Sequence, residues 1–479
     1  MNALILAAYM GLLLLIGAAA SRRPSTREEF FLGGRRIGPW VTSLSYVAAY
    51  FSSVLIIGGG GFGYRYGLAT LWVGAINVLV GITLVWIVLG RRLRRFTARL
   101  GTMTVPGFLA ERFRSREARI VSAVAIAVFL VIYNVSILKG MGNAFEVLME
   151  LPYMAGVLLA GAIIVLYVAW GGYTAVVWTG FFQAWIMGTG LVLLTAYTLR
   201  AADGLTSLVS RLGSADQGLV HTPGAWGWAG LVSFSMIVSF GVWGMPQLLV
   251  RFYSIRSVRV LRVGVVVASL GGCLALLPYL LGAAARVLHP GLAHSDLAIP
   301  TLSKAVLPPW AAALFLAGVI AAGMSTFAAV LIITSGALVE DLVAKGLRRP
   351  LTERQAVRAS RWVSAGVGLI SLGIALRPPA LVLVLTAFAW SAIASVCLWP
   401  VVLGVTWKRV TRHGVLASMV GGLTVTLAWM ILGSPFGVHG FLPGMGTSLL
   451  LIVAVSLATA KPPAELIARA WGERVTDAS

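Results

Sequence analysis

Apolar positions along this chain come in long unbroken runs rather than in alternation. Thirteen runs near twenty residues stand out, at roughly 2–20, 37–63, 69–90, 119–148, 154–171, 175–199, 229–249, 263–286, 309–338, 361–377, 380–406, 414–432 and 442–460. Each is long enough for a helix to cross the hydrocarbon core of a bilayer, and charged or turn-rich segments separate them. The continuity of the runs excludes a β-barrel, whose strands alternate with period two. The fold class expected is therefore an all-α polytopic membrane protein with about thirteen transmembrane helices.

Composition agrees. Of 479 residues, 59% are hydrophobic and 11% charged, too few charges to clothe a soluble globule. The formal charge of +22 would suggest nucleic acid in a soluble protein, but here it follows the loops. With the N-terminus outside, the segments assigned to the cytoplasm (21–36, 91–119, 251–262, 345–361, 408–412 and the C-terminal tail) hold 30 of the 37 Lys and Arg residues. Basic residues accumulate on the cytoplasmic side, so the N-terminus is expected outside and the C-terminus inside, in a bacterial-type inner membrane. Run 2–20 has no basic residue before it and Arg22, Arg23 and Arg27 after it, the pattern of a retained first helix rather than a cleaved signal. Cys273 and Cys397 lie within apolar runs and read as small buried hydrophobes.

Two runs carry strong helix breakers. One contains Gly58-Gly59-Gly60-Gly61 and Gly63; the other contains Gly241, Gly244 and Pro246. Glycine weakens a helix by about 1 kcal/mol relative to alanine, and proline removes a backbone donor. Setting aside the first run and the last two leaves ten. The interrupted runs then head two sets of five, the second inverted with respect to the first. Paired interruptions at matching places mark a midplane transport site. The expected organisation is 1–36 (first helix and cytoplasmic loop), 37–200 (first five-helix repeat), 201–406 (second, inverted repeat) and 407–479 (two accessory helices and tail). The GxGxxG match within the first glycine run follows no strand and is no dinucleotide fingerprint.

Candidate chemistry is sparse. The 15 acidic residues and five histidines fall in loops or near helix ends, so the side-chain proton relays and metal centres of intramembrane catalysts are not expected. Lys139 is the cation at depth, and faces either the outer interface or an outer vestibule where it would attract an anionic or zwitterionic solute. Uncharged polar residues gather before the first break (Thr42, Ser45, Tyr46, Tyr50, Ser52, Ser53), and Ser325-Thr326 follows Ala321-Ala322-Gly323-Met324 in the ninth run. Adjacent hydroxyls usually bond back to their own helix. Beside the freed carbonyls of a broken helix they would instead complete an oxygen cage for a monovalent cation.

Segments FFLGGRRIGPWVTSLSYVAAYFSSVLIIGGGGFGYRYG (30–67), GGYTAVVWTGFFQ (171–183), WGMPQLLVRF (243–252), AAGMSTFAAVLIITSGALVEDL (321–342) and AFAWSAIASVCLWPVVLGVTWKRVTRHGVLASMVGG (387–422) resemble, in order, the sodium/solute symporter family. The resemblance implies thirteen helices with a five-plus-five inverted repeat of the LeuT type, and sodium as a co-transported ion. By the same resemblance sodium sits on the carbonyls of Ala48, Phe51 and Ala322 and the hydroxyls of Ser325 and Thr326. The solute lies near Ser52, Ser53, Tyr133, Val242 and Pro246. Three positions depart from the family pattern. Tyr50 stands where the family's proline symporter has aspartate. Gly180 stands where many members have aspartate. Val238 and Val242 replace that symporter's aromatic pair, which makes proline an unexpected solute. The function implied is sodium-coupled uptake of a small organic solute, an amino acid, carboxylate or similar. The alternatives are a sodium-independent or proton-coupled transporter of the same fold and, behind these, a transport-deficient membrane sensor. The partners implied are the solute, sodium and the bilayer, with no nucleic acid and no obligate protein partner.

Overall fold

The computed structural model describes residues 9, 11, 12, 15 and 26–472; most of the first expected helix, 2–20, therefore lies outside the described residues. Within them nine helices are long and apolar enough to cross a membrane. The elements that position the site are α1 (Pro39–Tyr50), α2 (54–66), α3 (71–100), α4 (Arg116–Leu148), α5 (Tyr153–Ala201), α6 (Gly227–Phe240), α7 (Pro246–Ser254), α8 (Val260–Leu288), α9 (Ala298–Val306), α10 (Pro309–Gly346), α11 (Glu353–Ala375), α12 (Val382–Thr406), α13 (Arg412–Ile431), α14 (Phe441–Ala458) and α15 (Ala464–Trp471). A kink at Gly172, with φ 61° and ψ −168°, divides α5 in two. Left-handed φ of this kind suits glycine, which has no Cβ to clash.

Both expected interruptions exist, but the first falls at Phe51, seven residues before the glycine run begins at Gly58. Phe51 leaves helical conformation at φ −81° and ψ 74°, whereas Gly59 and Gly60 keep helical dihedrals. The glycines serve close approach instead. A Cβ on Gly60 would lie 2.0 Å from Ile299 of α9, and one on Gly63 would lie 2.1 Å from the Tyr279 carbonyl of α8. Reciprocally, a Cβ on Gly282 of α8 would lie 1.9 Å from the Gly60 carbonyl. Small residues let membrane helices meet backbone to backbone. The second interruption is where the sequence places it. A single 3₁₀ turn, Gly241–Gly244, ends α6; Met245 is extended at φ −79° and ψ 112°; and Pro246 occupies the first position of α7, where its missing N–H costs nothing.

α10 runs through the middle of the bundle, with 94% of its most apolar window buried, and packs on α5, α4 and α1. α13 and α14 pair with one another and rest on α12. The α1 and α7 halves of the two broken helices are tied by Arg251 of α7. It is 1% exposed, donates to the Ser45 hydroxyl at 3.3 Å and lies 5.3 Å from the centre of the Tyr173 ring.

The basic segments converge on one end of the bundle. Arg27 pairs with Glu340 at 2.7 Å and Glu353 at 3.2 Å. Arg119 pairs with Asp341 at 3.1 Å and Glu111 at 3.2 Å. Arg94 donates to the Ile255 carbonyl at 2.7 Å, Arg35 to the Tyr253 carbonyl at 3.2 Å, and Arg99 to the carbonyls of Ala470 and Trp471. Segments that the charge pattern assigns to one side of the membrane thus touch one another.

Candidate functional site: an oxygen group and an aromatic cavity at the first helix break

The break after α1 frees carbonyl oxygens. The amide of Ser52 turns to the Tyr50 carbonyl at 3.0 Å rather than to Ala48 four residues back, so the ladder no longer uses Ala48. Such end-of-helix carbonyls need other partners. α10 supplies them. Ser325 Oγ donates to Ala48 O at 2.8 Å and lies 2.9 Å from Ala322 O. Thr326 Oγ1 donates to Ala49 O at 3.0 Å and lies 3.2 Å from Ala322 O. Ser325 is 1% exposed and Thr326 fully buried.

Of the five cation positions read from the sequence, Ala48, Ala322, Ser325 and Thr326 form one hydrogen-bonded group, and Phe51 sits at the break itself. Ala49 joins them. The resemblance carried over its neighbour Ala48 and not Ala49, whose carbonyl the fold turns toward Thr326. The set consists of neutral oxygens, the donor chemistry of a hard monovalent cation.

Beside the break lies a small cavity. Tyr50, Ser52, Val54, Asn77, Tyr133 and Trp390 are among its lining residues, with Tyr279, Leu383 and Thr386 opposite. Four of the walls are aromatic. Tyr133 and Trp390 meet edge to face at 5.7 Å between centroids, and Tyr50 and Trp390 at 6.3 Å. The Tyr50 hydroxyl donates to the Val238 carbonyl at 3.1 Å, and the Asn77 amide reaches both groups. Ser136 and Thr386 share a hydrogen bond of 2.8 Å behind the wall. Among the described residues the Trp390 indole N–H has no hydrogen-bond acceptor within ordinary geometry.

The cavity includes two of the five solute residues read from the sequence, Ser52 and Tyr133. Ser53 is turned away, donating to the Ile137 carbonyl at 2.8 Å. Val242 and Pro246 are fully packed at the second break and do not line the cavity; Val238, one turn earlier, does. The 3₁₀ turn at Gly241–Gly244 rotates the chain away from the face that a regular helix would present.

Lys139 is placed differently from a free vestibule cation. Its Nζ donates to the Ala380 carbonyl at 3.0 Å and lies 3.5 Å from Oδ2 of Asp296. Asp296 is itself 2% exposed, although its segment reads as loop. A larger chamber, on the side that the charge pattern assigns to the outside, is lined by Phe62, Tyr66, Trp226, Phe234, Ala380 and His439 among others. Burial pushes the His439 imidazole down to about 4, so this ring is neutral near pH 7.

The chain matches the family model described as "Sodium:solute symporter family" over residues 30–422. It is 31% identical over 462 residues to the high-affinity proline transporter PutP of Bacillus subtilis (strain 168), covering 94% of this chain and 96% of that one. It is 32% identical over 478 residues to the sodium/pantothenate symporter of Escherichia coli (strain K12), covering 96% and 98%. Among solved structures, a Na+-coupled sialic acid symporter in a substrate-bound outward-open state aligns with a TM-score of 0.82 at 18% identity, over 96% of this chain and 98% of that one. Mhp1, a nucleobase-cation-symport-1 family transporter, aligns in a closed conformation with a TM-score of 0.58 at 16% identity, over 95% and 99%. The fold is that of LeuT-type transporters. The chain belongs to the sodium:solute symporter family, a family of sodium-coupled membrane transporters and not of enzymes.

Proposed function

We propose that this member of the sodium:solute symporter family couples the entry of sodium to the uptake of a small organic solute. The observation that carries the reading is the junction of α1 and α10. There the carbonyls freed by the break meet the hydroxyls of Ser325 and Thr326, next to the aromatic cavity. Sodium takes its place among Ala48, Ala49, Phe51, Ala322, Ser325 and Thr326, and so ties α1 to α10. With those helices held, the cavity has a defined shape for the solute. At about −100 mV and a tenfold sodium gradient one ion supplies about 3.7 kcal/mol, enough for a roughly 500-fold solute ratio.

The cavity wall offers hydroxyl, amide and indole groups and aromatic faces but no charged side chain. A carboxylate on the solute is met by the N-terminal end of α2, where the helix dipole favours negative charge. Proline and pantothenate, named for two relatives, are both small carboxylates. The same reading takes the twelve described runs and 2–20 as thirteen spans with two inverted five-helix repeats, 37–200 and 201–406. It places the N-terminus outside and the C-terminus in the cytoplasm, because the clustered basic end of the bundle faces inward.

A second reading, the same fold working without sodium, is favoured by one feature. The cation group contains no carboxylate, and by the resemblance Tyr50 and Gly180 stand where members of the family carry aspartate. Uptake into proteoliposomes decides between the two. A panel of radiolabelled small carboxylates, proline and pantothenate included, is offered with and without an inward sodium gradient. Accumulation only with sodium supports symport; equal accumulation with choline replacing sodium supports the second reading.

A further inference from the structure

Among the described residues, Lys139 and Asp296 meet beside the cavity, and both act on the same turn of one helix. Asp296 belongs to the short turn Ser295–Leu297 that precedes α9. Its Oδ2 accepts the Val382 amide at 3.0 Å, at the start of α12. Lys139, from α4, lies 3.5 Å from that oxygen and donates to the Ala380 carbonyl at 3.0 Å. The two charges therefore hold the entry of α12 by an N–H on one side and a C=O on the other.

That entry is the partition between the two spaces. Leu383 and Thr386 face the inner cavity, while Ala380, Val384, Leu385 and Ala387 line the outer chamber. It is also pressed on α2, since a Cβ on Gly58 would lie 3.1 Å from Leu383 Cβ. The Ser295–Leu297 turn presses on α2 one turn further along. A Cβ on Gly61 would lie 3.0 Å from the Ser295 carbonyl and 3.3 Å from Asp296 Oδ1.

The energetics suit a device that opens. A buried ion pair contributes little net stability, because each charge has lost its water, yet removing one partner strands the other at large cost. When the first turn of α12 swings out, both charges regain water together, so the closed and open forms stay close in free energy. A permanent strut is better made from apolar packing. The exposed Lys304–Glu150 pair at 2.7 Å has no such leverage, since both groups are hydrated already.

We propose that the Lys139–Asp296 pair is the latch of an outer gate, holding the first turn of α12 between the outer chamber and the inner cavity. The proposal rests on the transport reading, and its test needs neither solute nor sodium uptake. Leu55, on the cavity wall, is replaced by cysteine in a chain also carrying Cys273→Ser and Cys397→Ala. Intact cells are exposed to a membrane-impermeant thiol reagent. Lys139→Gln and Asp296→Asn each raise the labelling rate at least fivefold. The double variant Lys139→Gln/Asp296→Asn, which keeps a donor and an acceptor but strands no charge, labels more slowly than either single variant. Parent-like labelling in both single variants, with normal folded protein in the membrane, overturns the latch. If the neutral variants fail to fold, Asp296→Glu decides: it keeps the charge but cannot keep the Val382 contact, so labelling rises, and parent-like labelling overturns the proposal. A parent that labels normally yet shows no uptake of any solute overturns the transport reading instead.

Discussion

Ser325 Oγ donates across the bundle to Ala48 O at 2.8 Å, joining residues 277 positions apart. The bond exists because the chain breaks after Tyr50 and Ala48 loses its helical partner. A hydroxyl one helix away then fills the gap that the backbone leaves.

The first prediction concerns these hydroxyls. Ser325→Ala and Thr326→Ala each remove one neutral oxygen from a set with no carboxylate. A lost hydrogen-bonding oxygen costs on the order of 1–3 kcal/mol. Each variant is expected to raise the sodium concentration for half-maximal uptake at least tenfold, and the double variant to lose sodium stimulation. Membrane protein level stays near that of the parent. Initial-rate uptake against sodium concentration checks this.

Tyr50 gives a second prediction. Its hydroxyl bridges Asn77 and the Val238 carbonyl, and Asn77 reaches that carbonyl independently. Tyr50→Phe therefore leaves the carbonyl partnered and lowers stability by only about 1 kcal/mol. Because the ring walls the cavity, the half-saturation constant for solute changes while the sodium requirement persists. Thermal unfolding and uptake kinetics on the same preparation separate the two effects.

The glycines of α2 and α8 give a third. Gly63→Ala puts a methyl 2.1 Å from a backbone carbonyl, and Gly282→Ala puts one 1.9 Å from another. Backbone cannot rotate aside as a side chain can. Each is expected to destabilise by roughly 1–3 kcal/mol and to abolish uptake. Gly366→Ala, with nothing within 4 Å, is expected to be neutral. Detergent thermal unfolding ranks them.

A fourth prediction addresses orientation. Arg99 bonds the carbonyls of α15, so the 91–119 segment and the C-terminal helix share a side. In the cysteine-free background, Arg99→Cys is expected to label from the cytoplasm and Ser210→Cys from outside. Labelling of both from one side would show that a span has been miscounted.

The apolar helices, and the hydroxyl pair that meets the carbonyls of α1, were readable in the sequence for physical reasons. Runs near twenty residues are dictated by bilayer thickness, and an adjacent Ser-Thr pair after small residues is rare in so apolar a helix. The cavity was less readable. Asn77 and Tyr279 come from α3 and α8, and Thr386 and Trp390 share α12 one turn apart, so their convergence depends on packing between three helices that no spacing rule encodes. Val242 and Pro246 missed the cavity because the chain tightens into a 3₁₀ turn at Gly241–Gly244, which a regular period does not anticipate. The four glycines suggested the break itself, whereas they answer to the closeness of α8 and α9. Asp296 read as a loop acid; its burial follows from the loop folding back against α4 and α12.

Sodium-dependent stability of the purified protein tests the central claim most directly. A ligand that binds the folded state alone stabilises it by an amount that grows with concentration, about 2.7 kcal/mol at a hundredfold excess over Kd. The melting temperature is titrated with sodium chloride at ionic strength held constant with choline chloride, for the parent and for Ser325→Ala/Thr326→Ala. The account predicts a saturable rise in the parent and a flat line in the double variant. A flat line in the parent, or the same rise in both proteins, would contradict a sodium site between α1 and α10.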